Sequence, residues 1–128
     1  NGLPGVGDRM PVLWTSMVSS GRFSASQFVA LTCANPARIF GIYPQKGTLQ
    51  VGSDADLVLW DANMKVDYGL SYSQHRTDYN LYEGWKLTGY PIQVYSRGEL
   101  IVDNGKWEGK PGRGKYLHRQ KFNRSSVE

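Results

Sequence analysis

At Tyr43-Pro44 the hydrophobic period of this chain changes from that of helices to that of strands, and no other feature constrains its fold as much. Before that point, Asn1 to Gly7 holds three glycines and a proline and reads as a loop. Asp8 offers a helix N-cap, and Pro11 suits a first helical turn. Met10, Leu13, Trp14, Met17 and Val18 then form an apolar stripe that Gly21 ends. Ser24 and Gln27 match a capping box for a second helix carrying Phe28, Val29, Leu31 and Ala34. Asn35-Pro36 is expected to break this helix and recap a short third one, Ala37 to Phe40, closed by Gly41.

Strand patterns follow the switch. Asp56 to Asp61 reads as a buried strand between acidic ends, and residues 62–70 as a weaker one in which Val66 and Tyr68 alternate with Asp67. Residues 71–89 read as a polar and aromatic loop. Pro91 to Tyr95 and Leu100 to Val102 flank Ser96-Arg97-Gly98 as a hairpin, and Asp103-Asn104-Gly105 turns the chain again towards Trp107. Helices first and strands second imply α+β or two separate units. Neither half is self-sufficient, because three short helices lack a partner layer and three or four strands do not complete a sandwich. The chain therefore reads as the C-terminal piece of a larger protein.

Charge excludes one class of function. Residues 1–109 hold nine basic and ten acidic groups, whereas residues 110–128 hold six basic groups against Glu128. The net charge of +4 thus belongs to an extended tail, not to a basic domain surface of the kind that binds nucleic acid. That tail could meet nucleic acid or lipid, or, with Tyr116, Leu117 and Phe122, clasp a neighbouring subunit, and we favour the last reading. No apolar run approaches the roughly 20 residues that cross a bilayer. The single Cys33 allows no internal disulfide and fits a reducing compartment.

Catalytic chemistry is sparse. His75 and His118 have no ligand-spaced partners, and no HxH, HExxH or CxxC occurs, so both are read as solvated or packing residues. Asp54 and Asp56 sit at a strand start beside Gly52-Ser53, which favours turn capping over acid–base work. Cys33 has no basic neighbour to activate it. There is neither a GxSxG elbow nor a phosphate loop. The glycine-rich opening loop could expose its backbone to a ligand, although an ordinary connection is the simpler reading.

Several motifs in series resemble the dihydropyrimidinase and D-hydantoinase family. They are Asn1-Gly2-Leu3-Pro4-Gly5 followed by Asp8 to Pro11, Asn35 to Gly47 (NPARIFGIYPQKG), Val51 to Asp61 (VGSDADLVLWD), Asp78 to Trp85 (DYNLYEGW) and Ser96-Arg97-Gly98. The resemblance implies an α/β architecture in three parts. Residues 1–43 would be the helical C-terminal end of a (β/α)8 TIM-type barrel, with the substrate loop and final helices. Residues 44–108 would be strands of a small β-sandwich, and residues 109–128 a basic intersubunit tail. The isolated chain would be incomplete.

The same resemblance implies a cytoplasmic, homotetrameric hydrolase of pyrimidine catabolism that opens 5,6-dihydropyrimidine or hydantoin rings. Two zinc ions bridged by a carboxylated lysine would activate the attacking hydroxide, with every metal ligand upstream of Asn1. No catalytic or metal-binding residue is therefore expected in this chain, which alone would be inactive. Asn1 would bind the ring amide through its backbone, with Gly2, Pro4 and Gly5 shaping the loop. Gly7 departs from the family pattern, which has a polar residue there. The alternative is a non-catalytic scaffold of the collapsin response mediator type, against which Pro4 and the short tail argue.

Overall fold

The computed structural model describes residues 3–121. Its first helix, α1 (Arg9–Trp14), runs on through a wider π-helical turn, Thr15–Ser19, and stops at Gly21, whose φ of +75° suits a residue without Cβ. Asp8 does not cap this helix. Its own backbone is already helical and its side chain makes no capping bond, because the carboxylate is engaged elsewhere. The second helical stretch comprises α2 (Ala25–Val29), a π-helical turn (Ala30–Ala34) and α3 (Asn35–Ile39). It opens with the expected capping box: the Gln27 N–H donates to Ser24 Oγ at 3.2 Å and the Ser24 N–H to Gln27 Oε1 at 2.8 Å.

The expected break at Asn35-Pro36 is absent. Ala34 and Asn35 both keep helical dihedrals, and the chain passes through Pro36 into α3. A proline is costly where its missing N–H leaves a carbonyl unpaired. Here it sits at the start of α3, directly after a π-helical turn has reset the bonding pattern, so the cost is small. Gly41, at φ +67°, closes the stretch as expected.

Four antiparallel strands follow in the order β1-β2-β3-β4: β1 (Leu57–Tyr68), β2 (Trp85–Ser96), β3 (Glu99–Asp103) and β4 (Lys106–Trp107). The two strands expected over 56–70 are one 12-residue strand with a bulge. Asp61 makes that bulge, since its Oδ1 accepts the N–H groups of Asn63 (2.9 Å) and Met64 (3.2 Å) and the register slips between Asp61 and Lys65. The loop expected over 71–89 is also shorter, because β2 begins at Trp85. Leu87 and Gly89 face inward from its first half, and Pro91 falls beside a register shift where no ladder donor is required. The two tight turns are as expected, with φ +50° and +78° at Arg97-Gly98 and +47° and +80° at Asn104-Gly105.

The core lies where α1 meets the β1–β2 pair at its Tyr68 end. Val66, Tyr68 and Leu87 are buried there, with Val12, Met64, Tyr72, Tyr82 and Tyr90 packed around them. Trp14 extends this contact to Trp60 (ring centroids 4.9 Å apart) and Phe28 (5.2 Å). Thr15 Oγ1 exchanges two hydrogen bonds with the Thr88 backbone and so stitches the helix to the sheet. The other half of β1 corrects a second expectation. Its Leu57–Leu59 start is not buried, with Val58 53% and Leu59 43% exposed. Among the described residues β1 is an edge strand, and in this half Trp60 is the side chain that packs against the helical residues Trp14 and Phe28.

Beyond Gly109 the described tail has no regular structure and runs back over the same chain. Arg113 donates to Ser96 O at 2.6 Å and to Glu99 Oε2 at 3.1 Å, and the Gln120 N–H reaches Gly41 O at 2.8 Å. Phe122 lies outside the described residues.

Candidate functional site

Of the residues expected to meet substrate, Asn1 and Gly2 lie outside the described residues. Pro4 and Gly5 belong to a short loop, Leu3 to Gly7, that leads into α1. This loop is thinly held. Leu3 and Val6 are largely exposed, and the one backbone bond that ties it to the helix runs from the Arg9 N–H to Gly5 O at 3.2 Å. A Cβ added at Gly5 would meet nothing within 4 Å, so the backbone there faces open space that a ligand could approach. At Gly7 a Cβ would lie 3.8 Å from the His75 ring, an ordinary contact.

Immediately after the loop stands the most deeply buried carboxylate of the described residues. Asp8 has no solvent exposure. The Tyr68 hydroxyl donates to its Oδ1 at 2.6 Å, Asn80 Nδ2 donates to the same oxygen at 3.3 Å, and His75 Nε2 meets Oδ2 at 3.2 Å. Each partner is placed by its own local structure. Tyr68 ends β1 and faces inward two residues after Val66. His75 and Asn80 come from the 69–84 loop, which Glu83 braces by accepting the Leu70 N–H at 2.9 Å. Asn80 is held in turn because its Oδ1 accepts the Tyr82 N–H at 2.7 Å.

Burial, followed by the hydrogen bond to Asp8 and its charge, pushes the Tyr68 phenol well above its ordinary value. Tyr90 is raised to about 12, chiefly by burial and then by Tyr72 and Asp8. Tyr68 therefore remains a protonated donor at neutral pH. A carboxylate surrounded by donors and closed to solvent has no face for a substrate, so this cluster positions and does not react.

The other sequence candidates are structural. Lys46 bridges Asp54 at 3.0 Å and also Asp56, whose Oδ1 accepts the Arg97 N–H at 2.8 Å. Asp54 and Asp56 thus fasten the 44–56 segment to the β2–β3 turn, in keeping with a turn-stabilising role. The hydrogen bond from Lys46, partly opposed by burial, holds the Asp54 carboxyl below its usual range. Burial lowers Lys46, but its bonds to Asp56 and then Asp54 outweigh this and leave its ammonium raised. Cys33 is a half-buried free thiol beside Thr32. His118 packs edge-on against Tyr116 in the tail. Among the described residues no group of three or more His, Cys, Asp or Glu could hold a metal ion, so the residues present do not fit a zinc pair.

A profile of the amidohydrolase family matches residues 8–101, which is most of the chain. The chain belongs to the amidohydrolase family. Within that family it is 45% identical over 122 residues to the D-hydantoinase of Ralstonia pickettii, a match covering 95% of this chain and 26% of the relative. It is 44% identical over 122 residues to the D-phenylhydantoinase of Escherichia coli O127:H6, with the same coverage. The crystal structure of dihydropyrimidinase from Brevibacillus agri NCHU1002 superposes with a TM-score of 0.93 at 41% identity, covering 97% of this chain and 27% of that one. This amidohydrolase chain therefore spans about a quarter of the length of the relatives it matches, and the resemblance read from its motifs holds.

Sequence reasoning missed the Asp8 cluster in this amidohydrolase chain. Its partners lie 60, 67 and 72 residues from Asp8, and nothing local marks them as a set. The available signals were Tyr68 on the inward face of an alternating strand and Asn80 inside the DYNLYEGW motif.

Proposed function

We propose that the protein containing this chain hydrolyses the ring amide of 5,6-dihydropyrimidines or hydantoins. Water adds to the ring carbonyl, the ring C–N bond breaks, and its nitrogen takes up a proton to leave an open-chain N-carbamoyl acid. The observation that carries this reading is the match to a D-hydantoinase at 45% identity across 95% of the chain. The likeness to a solved dihydropyrimidinase supports the same ring chemistry. In this reading residues 1–43 close a (β/α)8 barrel, residues 44–108 belong to a β-sandwich, and the tail of residues 109–128, whose described part lies along its own chain, also touches a neighbouring subunit of a homotetramer. Asn1 binds the ring amide, with Gly2, Pro4 and Gly5 shaping the loop around it.

In this reading the two zinc ions are held by residues outside this chain, as the resemblance implies. The free Cys33 agrees with a cytoplasmic setting, and no described helix is long and apolar enough to cross a membrane. No observation favours the non-catalytic mediator alternative.

The test is direct. The whole protein, loaded with metal, is incubated with 5,6-dihydrouracil and with hydantoin, and products are followed by mass spectrometry. The reading expects at least one ring to gain a water as its N-carbamoyl acid. Recovery of both rings unchanged from a folded, metal-loaded preparation would overturn it. Residues 1–128 alone are expected to be inactive, and hydrolysis by that piece would contradict the placement of the metals elsewhere.

A further inference from the structure

The Leu3–Gly7 loop has little to hold it. Among the described residues Leu3 and Val6 are exposed and Gly5 faces open space, while Gly7 lies against the His75 ring, so the loop is held mainly at the end that joins α1. That end is Asp8. A carboxylate there could have capped α1 at little cost. Instead it is withdrawn from solvent altogether and bound to three groups of the sheet and its 69–84 loop.

We infer that Asp8 is a positioning residue for substrate binding. Fastened by Tyr68, His75 and Asn80, it fixes the end at which the Leu3–Gly7 loop enters α1. The inference rests on the functional reading above, in which that loop meets the ring amide.

Three features make the arrangement a rigid anchor. Its ligands are already braced, because the Gly84 N–H closes the 69–84 loop on Tyr68 O at 2.8 Å and Asn80 is locked by Tyr82. Two different oxygens of Asp8 are engaged, which fixes the rotation of the carboxylate as well as its place. Finally, Val12 of α1 packs on the same core as Tyr68, so a shift of Asp8 would disturb apolar packing along with its hydrogen bonds. A loop placed in this way binds ground state and transition state alike. Loosening the anchor should therefore raise KM and leave kcat nearly unchanged.

The experiment uses the whole enzyme with Tyr68→Phe, His75→Ala and the conservative His75→Gln. Steady-state kinetics on whichever ring the wild type opens are paired with hydrogen exchange of residues 3–9, read by mass spectrometry. Tyr68→Phe and His75→Ala are expected to raise KM about tenfold with kcat changed less than about twofold. Exchange in the loop should rise in the same two variants. His75→Gln, whose amide can still donate, should stay near wild type in both readouts. Unchanged KM and unchanged loop exchange in Tyr68→Phe and His75→Ala, with only a lower unfolding temperature, would overturn the inference and leave the cluster merely structural. If the wild type opened neither ring, the functional reading would fall, whereas loop exchange would still decide whether this cluster holds the loop.

Discussion

Strand β1 is pinned by carboxylates at both ends, and the two attachments work by different physics. At its Tyr68 end, Asp8 is closed to solvent and bound by a phenol, an amide and an imidazole. At its Leu57 end, Asp54 and Asp56 share Lys46, with carboxylate side chains 25% and 38% exposed. The first arrangement places a carboxyl group where water cannot solvate it, so its hydrogen bonds must come from the protein. The second trades hydration for an ion pair that water and salt still screen, and such pairs contribute little. Apolar packing follows the same division. Val66, Tyr68 and Leu87 are buried at one end, while Val58 and Leu59 stand exposed at the other.

The sharpest challenge to this contrast is Asp8→Ala. It leaves three buried or half-buried donors without an acceptor and should cost about 3 kcal/mol in denaturant unfolding of the whole protein. Between the two ends, Gly89→Ala should cost about 2 kcal/mol, because φ is +90° there and the new methyl would run into the Trp14 and Trp60 indoles. Thermal unfolding followed by tryptophan fluorescence would report it at the affected site.

At the exposed end, Asp56→Ala should cost about 1 kcal/mol, since it removes both a Lys46 contact and the acceptor for the Arg97 N–H. That loss should shrink in 1 M salt, on the order of three times the screening of ordinary buffer, whereas the Asp8→Ala loss should not. Because the Asp54 carboxyl is held below its usual range, its contribution is present above the ordinary carboxylate value and disappears as pH falls through the lowered one. Smallest of all, Lys86→Ala breaks a fully surface-lying pair with Asp67 and should change stability by less than about 0.5 kcal/mol.

How much of this was legible in the sequence depended on how local the cause was. The capping box at Ser24 and Gln27, the helix stops at Gly21 and Gly41 and both tight hairpin turns rest on neighbours within a few residues, and each is present. The passage through Pro36 was not legible, because a π-helical turn is a choice of hydrogen-bond register that composition does not mark. Trp85 to Gly89 read as loop because their inward positions alternate a leucine with a glycine, which carries no hydrophobic signal. Leu57 to Leu59 read as buried because an apolar run shows that burial is needed without showing what supplies it. The family was legible from its motifs, and the Asp8 cluster was not, since its parts come together only once β1 has folded against α1.

The most direct test of the contrast is a pair of double-mutant cycles on the whole protein, Asp8→Ala with Tyr68→Phe and Lys46→Ala with Asp54→Ala. The fully buried pair should show a coupling of about 2 kcal/mol, and the half-buried ion pair less than about 1 kcal/mol. Equal couplings, or a value below about 0.5 kcal/mol for Asp8 and Tyr68, would contradict the account of Asp8 as the anchor of the loop.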